Sequence, residues 1–191
     1  PEEVKERIRH FGDDDTRITE LSRAYRIELG TGWYTPAGVI HAPASVLTYE
    51  PQWNSDVMAM WENIVEGEVF DYQSLCGYVP AGSERDLDAI MDAADWELNT
   101  ITNYREKFFR PPVTDEAGEG YKQDWICYGN DFVAAKELTV EPGAEVLIKD
   151  AAAYGCLAVQ GRGQFGKFVV ESPTLIRYGQ LTADEFFVSN K

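Results

Sequence analysis

Few side chains in this chain are of a type that binds metal or moves protons with ease. There are two histidines, His10 and His41. His10 lies on the polar side of a helical pattern over residues 2–11 and reads as a surface residue. His41 closes the stretch GTGWYTPAGVIH, residues 30–41. An imidazole there has two readings: a metal ligand aimed inward, or a hydrogen-bonded histidine in a hairpin. Glu50 and Asp56 follow; from their surroundings alone they are a strand-end acid and a turn acid bonded to nearby backbone N–H groups. Trp33, Tyr34, Tyr49, Trp53 and Trp61 recur at strand spacing, as core packing or as a stacking platform for a sugar ring. The acidic run at 13–15 has no fourth oxygen ligand nearby, so a solvated loop is expected there and not a calcium site. Arg162, Lys167 and Arg177 read as solvated strand-face charges.

The elements around His41 read as a corner that delivers one imidazole. Residues 25–29 and 33–34 are strand-forming. Gly30 and Gly32 permit a bend between them, Pro36 fixes one φ angle, and Gly38 accepts φ > 0. Upstream, residues 2–11 predict an amphipathic helix with Val4, Ile8 and Phe11 on one face and Gly12 at its end. A second short helix is expected over 16–24, with Ile18 and Leu21 inward. Downstream, strands are expected at 46–50 and 56–61, separated by a bend at Pro51 and Asn54. Ser83 or Asp86 caps a helix running to about Trp96, with Leu87, Ile90, Met91, Ala94 and Leu98 as its apolar stripe. Residues 99–120, with Pro111, Pro112 and TDEAGEG, read as a linker. From Tyr121 onward DFVAAKELTV, EVLIKD, GCLAVQG, GKFVVES, LIRYG and EFFVS have strand character, and turn residues separate them at regular intervals. That spacing suggests a sandwich or barrel.

Composition excludes several classes of function. The chain has 191 residues, 44% of them hydrophobic, which fits a folded protein of one large or two small domains. A formal net charge of −16 argues against nucleic acid and anionic membranes as partners. No signal peptide opens the chain, and no apolar run approaches the about 20 residues of a membrane helix. Cys76, Cys127 and Cys156 are far apart and form no C-x-x-C pair, which suits three buried small residues in a reducing compartment. A cytoplasmic protein is the expectation.

One resemblance sharpens this reading. A Gly, five residues, Pro, one residue, Gly, two residues and His is the second sequence motif of the cupin barrels, although the Asn that usually follows is Ser45 here. PAGVIHA, from Pro36 to Ala42, resembles the PAGxxHA turn of mannose-6-phosphate isomerases. EPQWNSD, from Glu50 to Asp56, is similar to that family's E-x-Q-x-NSD pattern, at the family's separation from the histidine. The resemblance implies a mainly β fold: a double-stranded β-helix (cupin, jelly roll) as two partial barrels joined by a helical segment. Residues 1–80 would be the C-terminal part of a first barrel, 81–120 a connecting helix and linker, and 121–191 a second, degenerate and incomplete barrel. VQGRG, ending at Gly163, resembles a VxGxG turn of such a barrel.

The family's chemistry is aldose–ketose isomerisation of a phosphorylated hexose. A divalent metal, zinc or else iron or manganese, holds the sugar oxygens and stabilises an enediolate, and a carboxylate shuttles the proton between C1 and C2. By position His41 is the last metal ligand, Glu50 the proton-transfer carboxylate and Asp56 an active-site acid. The remaining ligands, a Gln, a His and a Glu, are expected upstream of Pro1, so the chain reads as a fragment, in preference to a chain that has lost the site, and alone is expected to bind metal weakly or not at all. The second barrel is expected to be chemically silent, a structural or dimerisation module, because no histidine follows His41. The family's arginine after NSD is replaced by Met60, which offers neither its charge nor its hydrogen bonds. That departure sets the alternative: a non-catalytic cupin that binds a sugar or related ligand and regulates a partner. In either reading the expected partners are a sugar or sugar phosphate and a second copy of the chain in a homodimer. Another cupin chemistry, such as that of a dioxygenase, is the third class.

Overall fold

Residues 2–9 repeat apolar side chains at helical spacing, and α1 (Glu2–Arg9) forms there. It buries Val4 and Ile8, with Phe11 buried just beyond its end. The computed structural model describes residues 1–55, 57–175 and 178–190. A 3₁₀ turn, Ile18–Leu21, follows α1 and buries Ile18. Next come β1 (Gly32–Trp33) and a hairpin of β2 (Ile64–Val65) and β3 (Glu68–Val69). The hairpin's turn residues Glu66 and Gly67 have φ of 53° and 86°, the pattern of a type I′ turn. Four short helices follow: α2 (Tyr72–Leu75), α3 (Leu87–Met91), α4 (Trp96–Thr100) and α5 (Tyr104–Phe108). Asp71, Asp86 and Asp95 cap α2, α3 and α4 through their side chains, taking backbone N–H groups that the first turn leaves unpaired.

β4 (Phe109–Arg110) pairs antiparallel with β1. β5 (Val113–Gly118), β6 (Tyr121–Cys127) and β7 (Ala135–Val140) form a three-stranded antiparallel sheet in that order. β8 (Tyr154–Leu157) pairs with β11 (Glu185–Val188), and β9 (Gly161–Phe165) pairs with β10 (Phe168–Ser172). The fold is mainly β, with 24% of residues in strands and 17% in helices. Among the described residues the sheets are small and antiparallel, and no closed barrel forms. No helix is long and apolar enough to cross a membrane, again among the described residues.

The chain divides into two compact units, Pro1–Ala144 and Glu145–Lys191. In the first, Val4, Ile8, Phe11, Ile18, Leu75, Cys76, Ile90 and Met91 form one apolar cluster, against which Ile40, Trp61, Tyr72 and Trp96 pack. A buried amide joins the loop after α1 to this core. Asn63 donates to the carbonyls of Phe11 (2.6 Å) and Asp14 (2.8 Å) and accepts the Thr16 N–H (2.9 Å). In the second unit Phe165 and Phe168 contact Phe186, linking the two ribbons, yet no described residue there is buried.

Several expectations change. The helix expected up to Trp96 is two helices, because the Asp95 carboxylate accepts the Leu98 N–H and starts a new one. The Trp96 indole then donates to the Met91 carbonyl at the end of α3. The second helix, expected over 16–24, shrinks to the 3₁₀ turn because Arg17 takes φ 49° at its start. Residues 99–120, expected as a linker, instead hold the end of α4, all of α5, β4 and β5. The aromatics Tyr104, Phe108 and Phe109 give that stretch apolar surface to bury. No strand forms at 25–29, 46–50 or 57–61, where alternating side chains find no partner strand. EVLIKD at 145–150 is not a strand either, and part of LIRYG lies outside the described residues.

Candidate functional site

The corner before His41 is built from two tight turns. Thr31 N–H donates to the Glu28 carbonyl (3.1 Å), closing the bend that leads into β1. Val39 N–H donates to the Pro36 carbonyl (3.2 Å), and Gly38 has φ 79°, the type II pattern with glycine in third place. Glycine is needed here twice over. A Cβ at position 38 would lie 2.8 Å from the Asp95 backbone nitrogen, because the turn sits directly on the start of α4. That nitrogen donates to the Gly38 carbonyl (2.9 Å). Val39 is buried and Ile40 packs against the apolar cluster, so the corner is held by the helices as well as by its own bonds.

Asn99, half-buried near the end of α4, completes the attachment. Its Oδ1 accepts the Ile40 N–H (2.9 Å), and its Nδ2 donates to the carbonyls of Gly38 (2.8 Å) and Asp95 (2.7 Å). His41 emerges from this frame. Its Nδ1 lies 2.8 Å from the Val39 carbonyl oxygen. A carbonyl only accepts, so Nδ1 carries the proton, and a neutral ring keeps its lone pair on Nε2. That is the tautomer a metal-binding imidazole uses when a carbonyl orients its other nitrogen. The side chain is exposed, and no barrel encloses it among the described residues, which corrects the inward-aimed placement read from the corner. The reason is the run that follows: residues 41–50 are all exposed and form no strand that would cover the ring.

Glu50 is exposed, and the Thr48 hydroxyl donates to its Oε1 (2.8 Å). Asp56 lies outside the described residues. Ser45 donates to Glu66 Oε1 (2.8 Å), which ties the segment after His41 to the tip of the β2–β3 hairpin. Met60 donates its backbone N–H to the Ser74 carbonyl (2.8 Å). No group of three or more His, Cys, Asp or Glu side chains is placed to hold a metal among the described residues. His41 therefore fits as one ligand, but the described donors do not make a closed site.

The aromatic residues divide into two sets. Trp33 packs against Tyr25 (4.7 Å between centroids), Phe109 (5.2 Å) and Tyr104 (6.0 Å), and Trp61 packs against Trp96. These are core contacts. Tyr49 and Trp53 are exposed, and Trp53 meets Phe132 edge-on at 6.0 Å. Phe132 adjoins an apolar hollow of about 360 Å³ lined by Val113, Trp125, Tyr128, Asn130 and Val133, among others. Beside it, Asp115 accepts from Trp125 Nε1 (3.0 Å) and Gln123 Nε2 (2.9 Å) and pairs with Lys136 (3.0 Å). These bonds, that to Lys136 foremost, hold the Asp115 carboxyl below its usual range.

Sequence reasoning missed the hollow and the Asn99 attachment. Asn99 carried one signal, a weak helix former placed four residues after the capping Asp95. Of the cationic residues read as surface charges, Arg162 and Lys167 are exposed, and Arg162 pairs with Glu171 across β9 and β10 (3.6 Å); Arg177 lies outside the described residues. Cys76 is buried, which pushes its thiol up, whereas Cys127 and Cys156 are half-buried. No family model matches the chain, and neither does any curated protein or solved structure.

Proposed function

We propose that this chain belongs to a cupin-type protein, similar to mannose-6-phosphate isomerase, that binds a sugar or sugar phosphate and interconverts its aldose and ketose forms. The observation that carries the reading is the contact of His41 Nδ1 with the Val39 carbonyl oxygen (2.8 Å). A proline–glycine turn, pinned to α4, puts the Val39 carbonyl on Nδ1, which supports reading Nε2 as one ligand for a divalent ion. Zinc is the first expectation, with iron or manganese bound by the same kinds of donor. When bound, such an ion polarises a sugar carbonyl. In this reading the remaining donors are the Gln, His and Glu that the resemblance implies. Glu50 is the proton-transfer carboxylate in this reading, with Asp56 as a second acid. The exposed Trp53, whose ring meets Phe132 edge-on, offers a face for a sugar ring in this reading.

A second reading, a non-catalytic sugar-binding or regulatory cupin, is favoured by one residue. Met60 stands where the family has an arginine, and its side chain offers a phosphate no donor. The experiment that separates the two is turnover of mannose 6-phosphate by the full-length protein, with and without a chelator. Metal-dependent turnover that disappears in His41→Ala and falls about 10²–10⁴-fold in Glu50→Gln supports the isomerase. Sugar binding without turnover supports the second reading. Metal content equal in wild type and His41→Ala removes His41 as a ligand.

A further inference from the structure

Asn99 lies 59 positions after Ile40 in sequence, yet its side-chain amide spans the peptide units on both sides of Val39. Three of its four hydrogen-bonding positions are used: Oδ1 takes the Ile40 N–H, and the two Nδ2 protons go to the Gly38 and Asp95 carbonyls. The orientation of the amide is fixed by this environment. Turned over, it would set an oxygen against two carbonyls and an NH₂ against an N–H. The residue between the two anchored groups is Val39, whose carbonyl bonds to His41 Nδ1. Asn99 is thus one bond removed from the imidazole, and it touches neither the ring nor any group that would react.

We propose that Asn99 is a positioning residue that selects the His41 tautomer: by clamping the Gly38 carbonyl and the Ile40 N–H it aims the Val39 carbonyl at Nδ1 and leaves Nε2 unprotonated. The value of this clamp for function rests on reading His41 as the functional imidazole; its effect on the tautomer does not. An amide is required and a carboxylate is not a substitute. Asp at 99 has the same shape, but its second oxygen would face the Gly38 and Asp95 carbonyls with no proton to give. Without the clamp, the turn keeps its Val39–Pro36 and Asp95–Gly38 bonds, but the Val39–Ile40 peptide loses the partner of its N–H; its carbonyl is then no longer aimed at Nδ1, and the ring returns to the Nε2–H form that an unconstrained imidazole favours.

The test is the nitrogen chemical-shift pattern of the two histidine rings, read by proton–nitrogen correlation NMR on the full chain above the pH where imidazole is protonated. His41 in the wild type is expected as the Nδ1–H tautomer, while His10 serves as the internal reference. Asn99→Asp and Asn99→Ala are expected to move His41 to a majority of Nε2–H and leave His10 unchanged. An unchanged His41 pattern in a folded Asn99 variant overturns the proposal. Should neither variant fold, the wild type decides alone: a majority of Nε2–H at His41, or an Ile40 amide that exchanges with solvent as fast as an open loop, overturns it as well. Zinc titration of His41→Ala tests the metal reading separately. Its failure removes the ligand assignment and leaves the tautomer result standing.

Discussion

Ile90 in α3 is fully buried, while Phe187 in β11 is 75% exposed, although each is a large apolar residue in a regular element. The contrast extends to their units. Every buried apolar residue among those described falls between Val4 and Phe108, inside Pro1–Ala144. In Glu145–Lys191, Leu147, Val159, Val169, Leu175 and Phe187 are all exposed, and the unit is held by two two-stranded ribbons and a few phenylalanine contacts. Two-stranded ribbons alone are marginal in water, whereas a helix that buries one face is not. The short helices, and not the strands that dominate the fold by count, therefore carry the stability of the described chain. They also carry the site, since α4 holds the His41 corner through Asp95 and Asn99.

The largest effect expected is in that core. Ile90→Ala should cost about 2–5 kcal/mol, the range for truncating a buried aliphatic side chain. Phe187→Ala should cost under about 0.5 kcal/mol, as exposed substitutions do. Urea unfolding followed by tryptophan fluorescence measures the first, and circular dichroism of the whole chain the second. Equal losses would mean that the second unit has a core of its own, and the comparison would fail. Asn63→Ala comes next, at about 2–3 kcal/mol, because it strands the Thr16 N–H and the Phe11 and Asp14 carbonyls in a buried place. A loss below about 0.5 kcal/mol would show that water replaces the amide there.

Two glycines sharpen the comparison further. Gly38 and Gly179 have nearly the same positive φ, 79° and 75°, so alanine at either meets a backbone cost of about 1–2 kcal/mol. At Gly179 a Cβ has nothing within 4 Å, whereas at Gly38 it meets the Asp95 backbone. Gly38→Ala should thus be the more destabilising of the two, and it alone should change the His41 ring signals. Equal thermal shifts for the two variants would mean that the corner is not pressed against α4.

How much of this was legible in the chain follows from the range of each interaction. The α1 stripe of Val4 and Ile8, the Asp86 cap and the positive φ at Gly38 are decided within a few residues, and the sequence pattern carries them. β7, β10 and β11 fall within runs of strand character for the same reason. The Asn99 clamp was not legible because its partners are 59 and 61 positions away. Nothing in the local pattern says which backbone an amide on a helix will meet. The run at 46–50 misled in the other direction. Alternation states a preference for a pleated, half-buried surface, but a strand also needs a neighbour, and none is supplied. Likewise PAGVIHA marks a turn reliably, while the exposure of the imidazole beyond it depends on what covers the turn.

The smallest effect expected lies in the β5–β6–β7 sheet, where an acid bonds to its neighbours without any apolar core around it. Hydrogen bonds from Lys136, then Gln123 and Trp125, lower the Asp115 pKa from its ordinary 3.8. A carboxyl whose folded pKa is lowered contributes stability that is fully present above the unfolded value. That contribution fades as pH falls from the unfolded value through the folded one. Asp115→Asn should accordingly melt below the wild type at pH 7, and the two melting curves should converge as the pH drops below 3.8. Because the pair with Lys136 is partly open to water, added salt should narrow the gap at neutral pH. A gap that persists unchanged into acid would mean that the Asn variant loses packing and not charge. In that case the sheet would owe nothing measurable to its ion pair.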